Sequence, residues 1–167
     1  MSPTELQKIA KEVGVGEFDL LLIGDGSGMT YDSPGGYFSW VYNKKTGEVS
    51  RVCGANSNSS NNFCELFPYI HALIVYDNSS EHSRFFSPRK QKLRVAVVSD
   101  SELTVKCAKK EYGRKANLPL WAAIDWFEEN GFELKWFHTR RNTNPASSHA
   151  DKIAGECRKR FAEQIGV

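Results

Sequence analysis

Apolar positions along the chain follow two rhythms, short continuous runs and a three-and-four spacing, and their order predicts the architecture. Leu6, Ile9 and Val13 recur at helical spacing. They follow Ser2-Pro3-Thr4-Glu5, where a capping serine, a first-turn proline and a glutamate that completes a capping box mark a helix start. Gly14 and Gly16 end that helix, predicted over 3–13. Phe18 to Ile23 is a continuous apolar run suited to a buried strand, ending in Gly24-Asp25-Gly26-Ser27-Gly28. After a glycine-rich turn at Ser33-Pro34-Gly35-Gly36, Tyr37 to Tyr42 reads as a second strand. Asn43 to Gly47 then makes a hairpin connection, and Glu48 to Cys53 the returning strand. Ala55 to Asn62, dominated by Asn and Ser, is a loop that hands over to a helix. Phe63, Leu66, Phe67, Ile70, Leu73 and Ile74 share one face of it. Pro68 falls within this helix and either kinks it or lies in an early turn.

Residues 77 to 92 read as an exposed basic loop. Leu93 to Val98 is another buried strand, closed by Ser99-Asp100-Ser101. Helices are predicted over Glu102 to Lys110 and Leu118 to Asn130, the second stopped by Gly131. Phe132 to His138 alternates as a strand, Arg140 to Ser147 is a polar loop, and His149 to Gln164 is the closing helix. Three meandering strands followed by helix-connected strands predict an α/β fold. Its mixed five-stranded sheet has three antiparallel strands, then two parallel ones, with helices on both faces. Residues 1–17 form an N-terminal helical extension and 18–167 the domain that carries the sheet.

At 167 residues the chain suits one domain with a real core and is too short for two comfortable ones. No apolar run approaches the ~20 residues of a membrane helix. The opening Met-Ser-Pro-Thr-Glu-Leu lacks a basic-then-apolar secretory layout. A cytoplasmic, monomeric protein is expected. Cys53, Cys64, Cys107 and Cys157 form no CxxC pair and show no zinc-ligand spacing, and are expected to be reduced and mostly buried. A net charge of +2 does not announce a nucleic-acid binder. The basic residues nevertheless cluster, Arg84, Arg89, Lys90, Lys92 and Arg94 in one stretch, and Arg140, Arg141, Lys152, Arg158, Lys159 and Arg160 in another. Such clusters are solvated surface unless a phosphate-handling site lies nearby.

The acidic residues supply that possibility. Asp25 closes the first strand and Asp100 the fourth, while Glu65 falls in the first turn of the long helix and Asp151 near the start of the last. Singly, each could be a turn former, a cap or a partner for a helix dipole. In an open sheet, however, strand ends and the starts of the following helices border one crevice. Four carboxylates gathered there repel one another unless a cation neutralises them. Oxygen-only ligands select Mg²⁺ or Mn²⁺.

The local wording around these acids resembles the type 1 ribonuclease H family. Ile23-Gly24-Asp25-Gly26-Ser27, followed by Ser33-Pro34-Gly35-Gly36-Tyr37, is similar to its first-strand motif. Asn61-Asn62-Phe63-Cys64-Glu65-Leu66 resembles the second, Val98-Ser99-Asp100-Ser101 the third, and Pro145 with Ala150-Asp151-Lys152-Ile153-Ala154 the fourth. Asn117-Leu118-Pro119-Leu120-Trp121 looks like the start of a late helix of the family. The resemblance covers residues 18 to 164. It implies an endoribonuclease that cuts the RNA strand of an RNA/DNA hybrid with two Mg²⁺ or Mn²⁺ ions, leaving 5′-phosphate and 3′-hydroxyl ends.

By the same resemblance Asp25 bridges both ions, Glu65 and Asp100 hold one side, and Asp151 the other. Gly28, Asn61 and Asn62 fall where the family meets the RNA strand, Ser60 and Asn117 where it grips a phosphate of the DNA strand, and Ser27 is a further substrate-binding position. Glu102 replaces a Gln that reads the RNA strand. Arg141 stands at or next to the place of a His that helps product leave, and its guanidinium stays charged and cannot shuttle a proton at neutral pH. The family fold also hosts non-catalytic binding modules and nucleases of duplex RNA or DNA, so fold alone does not decide between these functions.

Overall fold

The structure is a computed structural model that describes residues 1–30, 32–57, 59–78 and 91–167. Helix α1 (Pro3–Val13) precedes strands β1 (Leu20–Ser27), β2 (Gly35–Asn43) and β3 (Val49–Asn56). Helix α2 (Asn61–Asn78), strand β4 (Leu93–Ser99), helices α3 (Glu102–Ala108) and α4 (Leu118–Glu129), strand β5 (Phe132–His138) and helix α5 (Pro145–Gln164) follow. The sheet order is β3-β2-β1-β4-β5. β1, β2 and β3 pair antiparallel, and β1–β4 and β4–β5 pair parallel, as the strand and helix order predicts.

The continuous apolar runs of β1 and β4 reflect burial on both faces. Leu20, Leu22, Val95 and Val97 pack beneath α2, α3 and α4. Leu21, Ile23, Ala96 and Val98 pack beneath α1 and α5. Helix α1 starts as its sequence dictates: Ser2 Oγ accepts the Glu5 amide at 3.2 Å, Glu5 accepts the Ser2 amide, and Gly14 closes the helix at φ 94°. It lays Leu6, Ile9 and Ala10 into the same core as the sheet.

Several predicted bounds move, each for a local reason. β1 does not stop at Ile23 but runs through Ser27, because its antiparallel partner continues to Ser27↔Gly36. β2 accordingly starts inside the predicted turn, at Gly35. β3 begins one residue later than expected and extends to Asn56, so the Asn/Ser loop is shorter than its composition suggests. α2 starts at Asn61, with Ser60 Oγ accepting the Phe63 amide at 3.1 Å. Asn61 and Asn62 are therefore helical, and Glu65 is the fifth helical residue, beyond the first turn. Pro68 lies well inside α2, which settles against an early turn. Ile74, expected on the buried face, is 43% exposed, while Tyr69 and Ala72 are buried.

α3 ends two residues early, at Ala108, and Lys110 turns to φ 61°. α5 begins at Pro145, four residues before its predicted start, because Asn144 caps it and Pro145 takes the first position. Asp151 is consequently in its second turn. Cys64 and Cys107 are buried, Cys53 is exposed and Cys157 half-buried, all as free thiols. Of the predicted basic loop, Asp77 and Asn78 belong to α2, Lys92 donates to the Glu128 carbonyl at 2.9 Å, and 79–90 lie outside the described residues. Among the described residues no helix is long and apolar enough to cross a membrane.

Candidate metal centre

Strand periodicity builds the site. Along β1, Leu21 and Ile23 point toward α5, so Asp25 and Ser27 continue that row, while Gly24 and Gly26 face α2. Gly26 is what lets α2 come close: a Cβ there would overlap the Cys64 carbonyl and the Glu65 amide. Pro68, lacking an N–H, leaves that same carbonyl without its usual helical donor. The outcome is that Glu65 is pressed against the end of β1. Asp100 follows the last residue of β4, and the Ser101 side chain caps α3 behind it by accepting the Thr104 amide.

Asp25, Glu65 and Asp100 each offer a carboxylate oxygen, and these oxygens all lie within 4.8 Å of one another. Asp25 is fully buried, Glu65 is 5% exposed and the Asp100 side chain 7% exposed. Asp25 Oδ1 accepts the Gly26 amide at 2.8 Å. Asp25 Oδ2 and Glu65 Oε2 are buried with no hydrogen-bond partner among the described residues. Burial first, and the Asp100 charge second, push the Asp25 carboxyl up to about 7. Burial, and then Asp25 and Asp100, push Glu65 up to about 10. Asp100 is raised as well, chiefly by burial. Buried acids with orphaned oxygens are costly unless something positive occupies the space between them. An all-oxygen donor set of this size suits a hard divalent cation.

Asp151 and Arg141 border this cluster on the α5 side. Arg141 Nε lies 3.8 Å from Asp100 Oδ2, and its Nη2 lies 3.7 Å from Asp151 Oδ1. The loop that carries Arg141 is pinned at both ends. Thr139 donates its amide to the Ser99 carbonyl at 3.0 Å, and Asn144 bonds Thr139 Oγ1 at 3.1 Å while its Oδ1 accepts the Ser147 amide at 2.8 Å. Tyr69, which the periodicity of α2 left unremarked, is fully buried with its hydroxyl 3.0 Å from both the Gly24 and Val98 carbonyls. It ties the ends of β1 and β4 together directly under the acids. The signal was present: Tyr69 follows Glu65 by four residues and shares its side of the helix.

No protein-family model and no curated protein matches the sequence. Solved structures do. The chain superposes on the N-terminal RNase H domain of a Mycobacterium tuberculosis protein over 89% of its own length and 99% of that domain, with a TM-score of 0.66 at 19% identity. It matches LC11-RNase H1, solved in complex with an RNA/DNA hybrid, over 85% of its length and 98% of that chain, with a TM-score of 0.67 at 21% identity. RNase H1 of the halophilic archaeon Halobacterium salinarum matches over 83% and 96%, at a TM-score of 0.60 and 18% identity. The fold is that of ribonuclease H.

In this ribonuclease H fold the other predicted residues fall in four places. Gly28, Ser60 and Asn61 come together where β1 ends and α2 begins: Asn61 Oδ1 accepts the Gly28 amide at 3.2 Å, and a Cβ at Gly28 would meet the Asn61 amide and the Ser60 carbonyl carbon. Asn62 and Asn117 line one cleft between α2, α3 and the start of α4, with Asn117 in the left-handed region at φ 56°. Glu102 is exposed and pairs with Lys106 at 2.9 Å, one turn along α3. Ser27 lies on the opposite side from that cleft, where it accepts from Arg158 Nε at 3.0 Å. In the sequence Arg158 is one member of a basic cluster. His138 Nε2 sits 3.2 Å from the Asp100 carbonyl, and His149 packs on the rings of Phe38 and Trp40, so neither joins the acids.

Proposed function

We propose that this chain is an endoribonuclease that hydrolyses the RNA strand of RNA/DNA hybrids. The observation that carries the reading is the set of buried, unpartnered carboxylate oxygens of Asp25 and Glu65 beside Asp100, at the end of β1 and β4 in a ribonuclease H fold. The hybrid bound in the LC11-RNase H1 structure supports the choice of substrate. Asp25, Glu65 and Asp100, with Asp151, would hold two Mg²⁺ or Mn²⁺ ions. Such a pair supplies activation of a water and stabilisation of the charge on the attacking and leaving oxygens.

The chain's own side chains position and neutralise. Water is the nucleophile, the bond between phosphorus and the 3′ oxygen breaks, and the ends left are a 5′-phosphate and a 3′-hydroxyl. Arg141, 3.8 Å from Asp100 and 3.7 Å from Asp151, would take up the negative charge of the phosphate or of the departing product. Asn61, Asn62 and the main chain at Gly28 face the sugar edge of the RNA strand, where a 2′-hydroxyl distinguishes RNA from DNA. Ser60 and Asn117 hold a phosphate of the DNA strand.

The test is a panel of labelled duplexes, hybrid, double-stranded RNA and double-stranded DNA, incubated with Mg²⁺, Mn²⁺ or chelator. Cleavage of the RNA strand of the hybrid alone, and only with metal, is expected. Tight binding without cleavage in either metal would instead identify a non-catalytic module. Preferential cutting of duplex RNA or DNA would reassign the substrate.

A further inference from the structure

Beyond Asp25, the α5 side of β1 opens onto a shallow recess that the carboxylate chemistry does not use. Ser27 follows Asp25 by two residues, so the strand's period turns both side chains the same way. Arg158 follows Asp151 by seven residues, two helical turns, which places the pair on one stripe roughly 10 Å apart along the axis. Gly155 stands between them, and a side chain there would meet nothing within 4 Å. The resulting recess, about 350 Å³, is bordered by Ser27, Asp151, Lys152, Gly155, Arg158 and Lys159, with Glu156 also on its rim.

Arg158 is held in place. Its backbone amide lies against Gly36, where a Cβ would clash with it and with the Ala154 carbonyl. Its Nε donates to Ser27 Oγ at 3.0 Å, and its Nη1 lies 3.6 Å from Met29 Sδ. Among the described residues no carboxylate pairs with it. Three cations, Lys152, Arg158 and Lys159, therefore border the recess against two anions, Asp151 and Glu156. Asp151 is itself engaged by Arg141. A guanidinium with its Nε tethered and further N–H groups to spare presents a fork suited to phosphate oxygens.

We infer that this recess seats a backbone phosphate of the strand being cut, with Arg158 gripping it and Ser27 fixing the guanidinium. The strand assignment follows from position. The recess runs from Asp151 along α5, whereas Asn117, assigned above to the DNA strand, lines a cleft across the sheet, between α2 and α4. A phosphate held two turns from Asp151 sets the register of the neighbouring phosphodiester over the acids. The inference rests on the nuclease reading for its biological sense, but binding tests it separately.

Affinity for a fluorescent RNA/DNA hybrid is measured in chelator across a range of salt for wild type, Arg158→Ala, Arg158→Lys, Gly155→Glu and Gly155→Ala. Arg158→Ala is expected to weaken binding about tenfold and to lower the salt slope by roughly one. Lysine restores part of the loss, since it returns the charge without the fork. Gly155→Glu, which fills open space with negative charge, weakens binding with its melting temperature kept. Gly155→Ala, which adds a methyl but no charge, melts higher and weakens binding less than Gly155→Glu.

Hybrids carrying one neutral methylphosphonate at each RNA position in turn complete the test. One position close to the cut should penalise wild type about tenfold and add nothing to Arg158→Ala, the mark of a shared contact. Unchanged affinity and slope in Arg158→Ala, or penalties that simply add at every position, would overturn the seat. A wild type that binds through Arg158 but cuts nothing would remove the nuclease reading and leave the seat standing.

Discussion

The two ends of the β1–β4 ladder hold aspartates in opposite circumstances. At one end Asp19, just before β1, accepts the Arg94 backbone amide at 2.8 Å, Arg94 Nε at 3.1 Å and Nη2 at 3.0 Å. Those bonds, above all the side-chain ones, hold its carboxyl below its usual range. At the other end Asp25 is fully buried, has one oxygen without a partner, and faces two more carboxyls. Burial drives it the other way. Asp19 shows what a carboxylate looks like when the chain itself satisfies it. Asp25, Glu65 and Asp100 show a set that the chain leaves incomplete, and an incomplete buried set of hard donors points to a ligand from outside.

Asp25→Asn should separate the two ends most strongly. This change should cut hydrolysis of the hybrid by on the order of a thousandfold or more, as loss of a central charge-stabilising group does. The melting temperature should be retained or raised, because a buried charge is removed. Asp19→Asn should do the reverse, lowering the melting temperature by a few degrees with turnover intact.

Acidity separates the two ends next. Asp19 has a lowered folded pKa, so the stability it lends is present above its unfolded value near 3.8 and is lost as pH falls through the lowered value. Asp25 and Glu65 are raised from 3.8 and 4.5 to about 7 and about 10, so the metal-free fold binds their protons more tightly than the unfolded chain. That stability is complete below the unfolded values and is lost as pH rises through 7 toward 10. Calorimetric melting from about pH 5 to pH 8 in chelator should therefore show a falling melting temperature. Saturating Mg²⁺ should flatten the slope, since a bound cation replaces the protons.

A smaller effect sharpens the edge of the site. Arg141→Ala should slow turnover about tenfold, the worth of one charge-assisted phosphate contact. Arg141→Lys should recover only part of it, and kcat read with excess substrate checks both.

Much of this contrast was legible in the sequence, and the gaps have physical causes. The apolar runs 18–23 and 93–98, the capping box at Ser2 and the order of elements gave the sheet and its topology, because both-face burial and capping are local signals. The ends of elements moved where glycines were involved. Gly24, Gly26, Gly35 and Gly36 read as turns, yet they sit in strands, where the missing side chains admit α2 and α5. Asn144-Pro145 was a cap and first-position pair hidden in a polar loop. The acids were found by their order along the chain and by the family wording around them, not by placement alone. Tyr69 and Arg158 were not, since a buried hydroxyl bridging two strands and an arginine tethered to a serine 131 positions away depend on tertiary packing.

The incomplete acid cluster, and not its satisfied counterpart, is expected to bind divalent metal. Titration of Mn²⁺ into the nucleic-acid-free protein by calorimetry tests it most directly, with wild type, Asp25→Asn and Asp19→Asn compared side by side. Saturable binding in wild type and Asp19→Asn, abolished in Asp25→Asn, is the predicted result. Equal binding in all three, or none in wild type, would contradict it.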